Sequence, residues 1–156
     1  MVAAGGGGRI INFASMAWLT GPFLGSDAYV IGKAGIVAMT RGLARSFGPH
    51  GILVNTISPG QIDTPMQHLD NPPELSERTT AQCPLGRMGR PEEVAAVAVF
   101  LASRHASFVN GATINVSGGL IMYWPCPRRL CRRHGEGLRA GSCPQCRSAD
   151  RHARPA

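Results

Sequence analysis

Lysine, aromatic side chains and long apolar runs are all scarce in this chain of 156 residues. The longest apolar candidate, Val94 to Ala102, falls well short of the ~20 residues a membrane-spanning helix needs, so no membrane role is expected. The first residues lack the basic-then-apolar layout of a secretion signal. Cysteine is nearly missing from residues 1–120, where Cys83 stands alone, and this suits a reducing cytoplasm. Lys33 is the only lysine, so a local reason for it is expected where arginine is the default cation.

A formal charge of +7 invites a nucleic-acid reading until it is located. Residues 1–120 carry eight basic side chains against seven acidic ones, whereas residues 121–156 carry eight arginines against Glu136 and Asp150. Basicity therefore belongs to the tail and says nothing about the body. The tail also holds Cys126-x4-Cys131 and Cys143-x2-Cys146, with His134 and His152 nearby. Four thiolates can bind zinc, and arginines can contact phosphates. The first cysteine pair is loosely spaced, however, and the tail shows no apolar periodicity. Residues 121–156 are expected to be a disordered, basic, cysteine-containing tail with no metal site and no nucleic-acid function.

Residues 1–120 read as one domain. Arg9 to Ala14 and Ile52 to Ile57 are short β-branched runs, as buried strands are, and Ala112 to Val116 is a third. Between the first two, apolar residues recur at helical spacing from Ala28 to Phe47, with Ser26 or Asp27 as N-cap and Gly48-Pro49 as stop. Trp18 to Asp27 reads as loop. Residues 65–90 read as an irregular segment with a short helix. Pro91-Glu92-Glu93 has helix-opening chemistry and leads into Val94 to Ala102. Strands alternating with helices predict crossover units and a mostly parallel sheet.

Tyr29-Val30-Ile31-Gly32-Lys33 places a phenol and an ammonium one helical turn apart on a shared face. The ammonium favours the phenolate, as a proton carrier for an alcohol–ketone interconversion requires. Alone, the pair reads as a surface aromatic and a solvated cation. Two features reverse that. Ser15 follows the first strand directly, and in parallel sheets functional groups gather beyond the carboxyl ends of strands. After the next strand, Ser58-Pro59-Gly60-Gln61-Ile62-Asp63-Thr64 forms a rigid turn that can offer backbone amides and Thr64 to a planar amide or a phosphate.

In these residues the sequence resembles the short-chain dehydrogenase/reductase family. Gly8 to Ser15 looks like that family's strand with the active-site serine, and Tyr29 to Lys33, continued by Ala34-Gly35, looks like its catalytic motif. Gly51 to Gly60, Pro84 to Val94 and Asn110 to Gly119 are similar to its next strand and turn, its late loop and helix, and its last strand. The resemblance spans about residues 8 to 120. It implies an α/β fold, a partial Rossmann-type doubly wound parallel sheet made of the C-terminal strands and helices. It also implies hydride transfer between NAD or NADP and a secondary alcohol or ketone. Carried over, Tyr29 exchanges the proton, Ser15 orients the substrate oxygen, and Lys33 holds the nicotinamide ribose. Pro59 and Gly60 shape the turn, while Ile62 (through its backbone) and Thr64 steady the carboxamide.

The family's N-terminal half has no counterpart here. That half carries the glycine-rich turn beneath the pyrophosphate and the residue that selects NAD or NADP. Gly5 to Gly8 cannot substitute, because they precede a strand, whereas the fingerprint follows one and opens a helix. Trp18 stands where the family usually has glycine, and Gly32 where serine is common. The first strand is then expected to be an exposed, apolar edge, and the chain alone to have reduced activity or none. A homo-oligomer, or association with related subunits, is expected, and a non-catalytic fragment that binds full-length relatives is the alternative. Met66, Leu69 and Leu75 are expected to form an apolar wall of the substrate pocket. The ending Ser117 to Tyr123 looks like relatives acting on hydroxyacyl thioesters; a 3-oxoacyl thioester and a polyol remain open.

Overall fold

The computed structural model describes residues 1–21, 26–70 and 73–122, with the backbone alone at 68–70, 73 and 75. Residues 123–156, with the tail's four cysteines, lie outside the described residues. Strand β1 (Gly8–Phe13), helix α1 (Ala17–Thr20), helix α2 (Asp27–Phe47) and strand β2 (Ile52–Pro59) follow in order. Helices α3 (Pro65–Asp70), α4 (Pro73–Gln82) and α5 (Pro91–Ala102) and strand β3 (Thr113–Val116) complete the fold.

The three strands form one parallel sheet in the order β1-β2-β3. Because strand side chains alternate between faces, one β-branched run serves two layers. Ile52 and Val54 pack with Ile10 of β1 and with Leu43, Ala44 and Phe47 of α2 on one face. On the other, Ile57 packs with Val94, Leu101 and Ala106, joined by Ile11, Ile114 and Val116. Helices thus cover both faces, a three-stranded portion of a Rossmann-like α/β sheet. β1 is an edge strand, as the sequence predicts. Its Phe13 ring is half-exposed.

Three expectations are corrected. A one-turn helix, α1, overlaps the start of the stretch expected to be loop, and it contains Trp18. Residues 65–90 hold two helices rather than one. Strand β2 runs on through Ser58 to Pro59 before it turns. In α3, α4 and α5 the proline is the first helical residue, where its missing N–H would be unpaired anyway and its fixed φ suits the helix. Ser26 is the N-cap residue of α2, but its side chain makes no capping bond.

The start of α5 is fixed electrostatically. The Arg87 guanidinium grips the Glu93 carboxylate with two bonds of 2.8 and 2.7 Å, and the Arg90 N–H donates to the same carboxylate at 2.7 Å. The arginine bonds chiefly, then the Arg90 amide, hold the Glu93 carboxyl down to about 2, against an ordinary 4.5, and the pairing raises the Arg87 guanidinium above its usual range.

A carboxyl with a depressed value contributes stability above its unfolded value and loses it as pH falls through the folded one. The clamp is therefore intact above pH 4.5 and lost as pH approaches about 2. An NMR titration of Glu93 should find its midpoint near 2, and Arg87→Ala should move it upward, though the Arg90 amide keeps it below 4.5. In the core, Leu101 is 0% exposed, so Leu101→Ala should cost about 2–5 kcal/mol by denaturant unfolding. Phe108→Ala, at a fully exposed ring, should stay within about 0.5 kcal/mol.

Candidate active site

Parallel pairing brings the carboxyl ends of β1 and β2 to one edge of the sheet. The chain leaving β1 is stitched to β2 there: the Ala14 N–H donates to the Ile57 carbonyl at 2.8 Å and the Met16 N–H to the Pro59 carbonyl at 2.9 Å. Ser15 sits between these two bonds. Its Oγ accepts the Ala17 N–H at 3.3 Å, which leaves the hydroxyl proton for a ligand.

Helix α2 brings Tyr29 to the same place from above. Ser15, Tyr29, Pro59, Gly60, Ile62 and Thr64 all line one cavity of about 500 Å³. Six of the seven residues singled out from the sequence are thereby brought together. The seventh, Lys33, stands behind the tyrosine instead of lining the cavity. Its Nζ donates to the Phe13 carbonyl at 3.0 Å and lies 5.5 Å from the centre of the Tyr29 ring. An ammonium has three donors, so this bond fixes the head group and leaves two unspent.

The turn after β2 depends on contacts distant in sequence. The Gly60 N–H donates to the Val116 carbonyl at 2.9 Å. A Cβ on Gly60 would lie 2.6 Å from the Ser117 Cβ, so only glycine lets the turn approach β3 this closely. Beyond it, Gly89 bridges the segment: its N–H donates to the Gln61 carbonyl at 2.9 Å and its carbonyl accepts the Asp63 N–H at 2.8 Å. Neither bond uses the Ile62 N–H or carbonyl. Thr64 is loosely tied, its Oγ1 donating to the Ile62 carbonyl at 3.4 Å.

The cavity also contains residues that the sequence did not single out, among them Ser26, Gln61, Gln67 and Thr79. Gln61 lies inside the motif already quoted and could have been included on that ground; Thr79 is placed by α4, in a segment where the sequence predicts one short helix without fixing its bounds. Of the expected apolar wall, Met66 lines the cavity, while the Leu69 and Leu75 side chains lie outside the described residues. Gly5 to Gly8 lie at the opposite end of the sheet, where the Gly8 N–H meets the Gly51 carbonyl at the start of β2. They are remote from the cavity and cannot cradle a phosphate group bound there. Among the described residues, no helix is long and apolar enough to cross a membrane.

Comparison with known proteins places this arrangement. The family model described as Enoyl-(Acyl carrier protein) reductase matches residues 1–121. A rat (3R)-3-hydroxyacyl-CoA dehydrogenase is 43% identical over 122 residues, 78% of this chain and 46% of the relative. A 3-oxoacyl-[acyl-carrier protein] reductase from Brucella melitensis superposes with a TM-score of 0.73 at 40% identity, covering 79% of this chain and 45% of that one. Another Brucella melitensis reductase of that name, solved with bound NAD, gives 0.71 at 39%, covering 79% and 44%. The chain therefore spans a little under half the length of the relatives it matches. Sequence motifs, a parallel sheet and these matches agree: the chain belongs to the short-chain dehydrogenase/reductase family.

Proposed function

We propose that this chain carries the proton-transfer half of an NAD(P)-dependent oxidoreductase acting on a secondary alcohol or ketone. One observation carries the proposal: Ser15 and Tyr29 line the same cavity, with the lone lysine anchored behind the phenol. In ketone reduction Tyr29 gives its proton to the carbonyl oxygen, and in alcohol oxidation it takes the proton back. The Ser15 hydroxyl donates to the same oxygen, holding it and stabilising its developing charge. The Lys33 ammonium, 5.5 Å from the ring centre, stabilises the phenolate left behind.

The residues at this edge fit the nicotinamide end of the cofactor. A carboxamide has a donor and an acceptor, and Ile62 offers a backbone N–H, and a carbonyl that holds only the long Thr64 bond, neither used in the bridge to Gly89. Thr64, Pro59 and Gly60 would complete that contact, and Lys33 would hold the ribose hydroxyls with its remaining donors. When bound, the nicotinamide supplies or accepts the hydride. The described residues provide nothing comparable for the pyrophosphate.

The substrate class is inferred from the relatives. The rat protein is named for 3-hydroxyacyl-CoA and the Brucella proteins for 3-oxoacyl groups on acyl carrier protein. Met66 and Val94 give this cavity apolar lining suited to an acyl chain. A 3-hydroxyacyl or 3-oxoacyl thioester is the substrate we favour, handled in the cytoplasm by an oligomer. The free edge of β1 and the exposed Ile31 and Met39 on α2 favour a second reading, a non-catalytic fragment that associates with full-length relatives.

Isothermal titration of the chain alone should find NAD(H) and NADP(H) binding weaker than micromolar, because the pyrophosphate lacks a cradle; micromolar affinity refutes this. In any preparation that turns over, Tyr29→Phe should lower the rate by at least ~10²-fold. Co-purification with a full-length relative, with the rate indifferent to Tyr29→Phe, would favour the fragment reading.

A further inference from the structure

Beneath the cavity lies a buried polar contact that no step above uses. Thr40 and Thr56 are fully buried, on α2 and β2, and Asn12 of β1 stands opposite Thr56 in the sheet register. The Thr40 Oγ1 accepts the Asn12 Nδ2–H at 2.9 Å and the Thr56 hydroxyl at 2.7 Å, and donates to the Ile36 carbonyl at 2.8 Å. A hydroxyl has one proton and two lone pairs, so all its bonding capacity is used. Each partner is thereby fixed in direction as well as distance.

The placement of this contact gives it a consequence. Asn12 lies three residues before Ser15, and Thr56 three before Pro59. On α2, Tyr29, Lys33, Ile36 and Thr40 fall along one stripe, because residues three and four apart share a helix face. One hydroxyl therefore ties together the three elements whose ends carry the serine, the tyrosine–lysine pair and the turn. Apolar packing alone lets a helix slide or roll over a sheet with modest change in buried area, since it has no direction. The bonds from Asn12 and Thr56 cross from the sheet to this one atom, whose own proton is turned to the Ile36 carbonyl within α2, and together they oppose that movement.

We propose that Thr40, with Asn12 and Thr56, is the positioning centre of this site: it fixes the axial register of α2 over β1 and β2, and so sets Tyr29 and Lys33 against Ser15. The inference rests on the proposed roles of those three residues for its purpose, though not for its geometry. It assigns Thr40 no contact with substrate or cofactor.

Lys33 supplies the probe, because a single lysine gives a single side-chain ammonium signal in the full chain labelled with ¹⁵N-lysine. In the unaltered chain, relaxation should show a restrained Lys33 side chain, with nuclear Overhauser contacts to Phe13 and to the Tyr29 ring. Thr40→Val keeps the shape and removes the hydroxyl. With the circular dichroism spectrum unchanged, the restraint and both contacts should fall severalfold, and Thr40→Ser should restore them. Where turnover is measurable, Thr40→Val should lower kcat about tenfold with KM within about twofold, as a misplaced catalytic group does. If Thr40→Val does not fold, Thr56→Val, which removes one of the three bonds, should loosen Lys33 in the same direction to a smaller extent. A Lys33 signal unchanged in a folded Thr40→Val or Thr56→Val chain overturns the proposal. A Lys33 signal that responds as expected in a chain that never turns over an alcohol leaves the positioning role standing and removes the enzymatic reading instead.

Discussion

Backbone hydrogen bonding between β1 and β2 runs parallel, with Asn12 opposite Thr56 and Phe13 opposite Ile57, and the rest of the site depends on that register. It delivers both strand ends to the same edge, so that Ser15 and the Pro59–Thr64 turn face one cavity. A slip of one residue would exchange the faces of every side chain on one strand. Ile57 would leave the α5 layer, and Val54 the α2 layer, so the two apolar cores enforce the pairing on which the polar groups depend. Chemistry at the edge is in this sense a by-product of packing beneath it.

Charge plays a narrower part, and a local one. The body is close to neutral, and its interior relies on hydroxyl and amide partners more than on ion pairs. The Lys33 ammonium is committed to a backbone carbonyl of the edge strand, so it serves as a bracket between α2 and β1 as well as a charge beside the phenol. An arginine would spread the charge over a wide planar head and would not place a compact ammonium on one carbonyl. The retention of a single lysine in an arginine-rich chain thus has a physical reason. The Arg87–Glu93 clamp does comparable work at a different point, holding the start of α5, whose Val94 lines the cavity.

Much of this was legible in the sequence, and the parts that were not share a cause. The strands announced themselves through adjacent β-branched residues such as Ile10-Ile11, and α2 through its apolar period. Ser15 and the Pro59–Thr64 turn were recoverable because they follow strand ends, and Tyr29 because a lysine lies one turn away on the same helix. Helix α4, Pro73–Gln82, is polar almost throughout, and its proline reads as a breaker although it occupies the first helical position. Helix α1 is too short to show any period. The need for glycine at position 60 comes from Ser117, and the saturation of Thr40 from Asn12 and Thr56; both arise only once distant segments meet. Local pattern predicts elements, whereas close approach and polar satisfaction belong to the assembled fold.

The central proposal is that the Ser15 and Tyr29 hydroxyls reach one substrate oxygen, with Lys33 held behind the phenol. A crystal structure of the chain with a secondary alcohol bound tests this most directly. The account predicts the alcohol oxygen within about 3.2 Å of both Ser15 Oγ and Tyr29 Oη, with Lys33 still on the Phe13 carbonyl. Hydroxyls of Ser15 and Tyr29 on opposite sides of the sheet, or more than ~10 Å apart when both must reach a common atom, would contradict it.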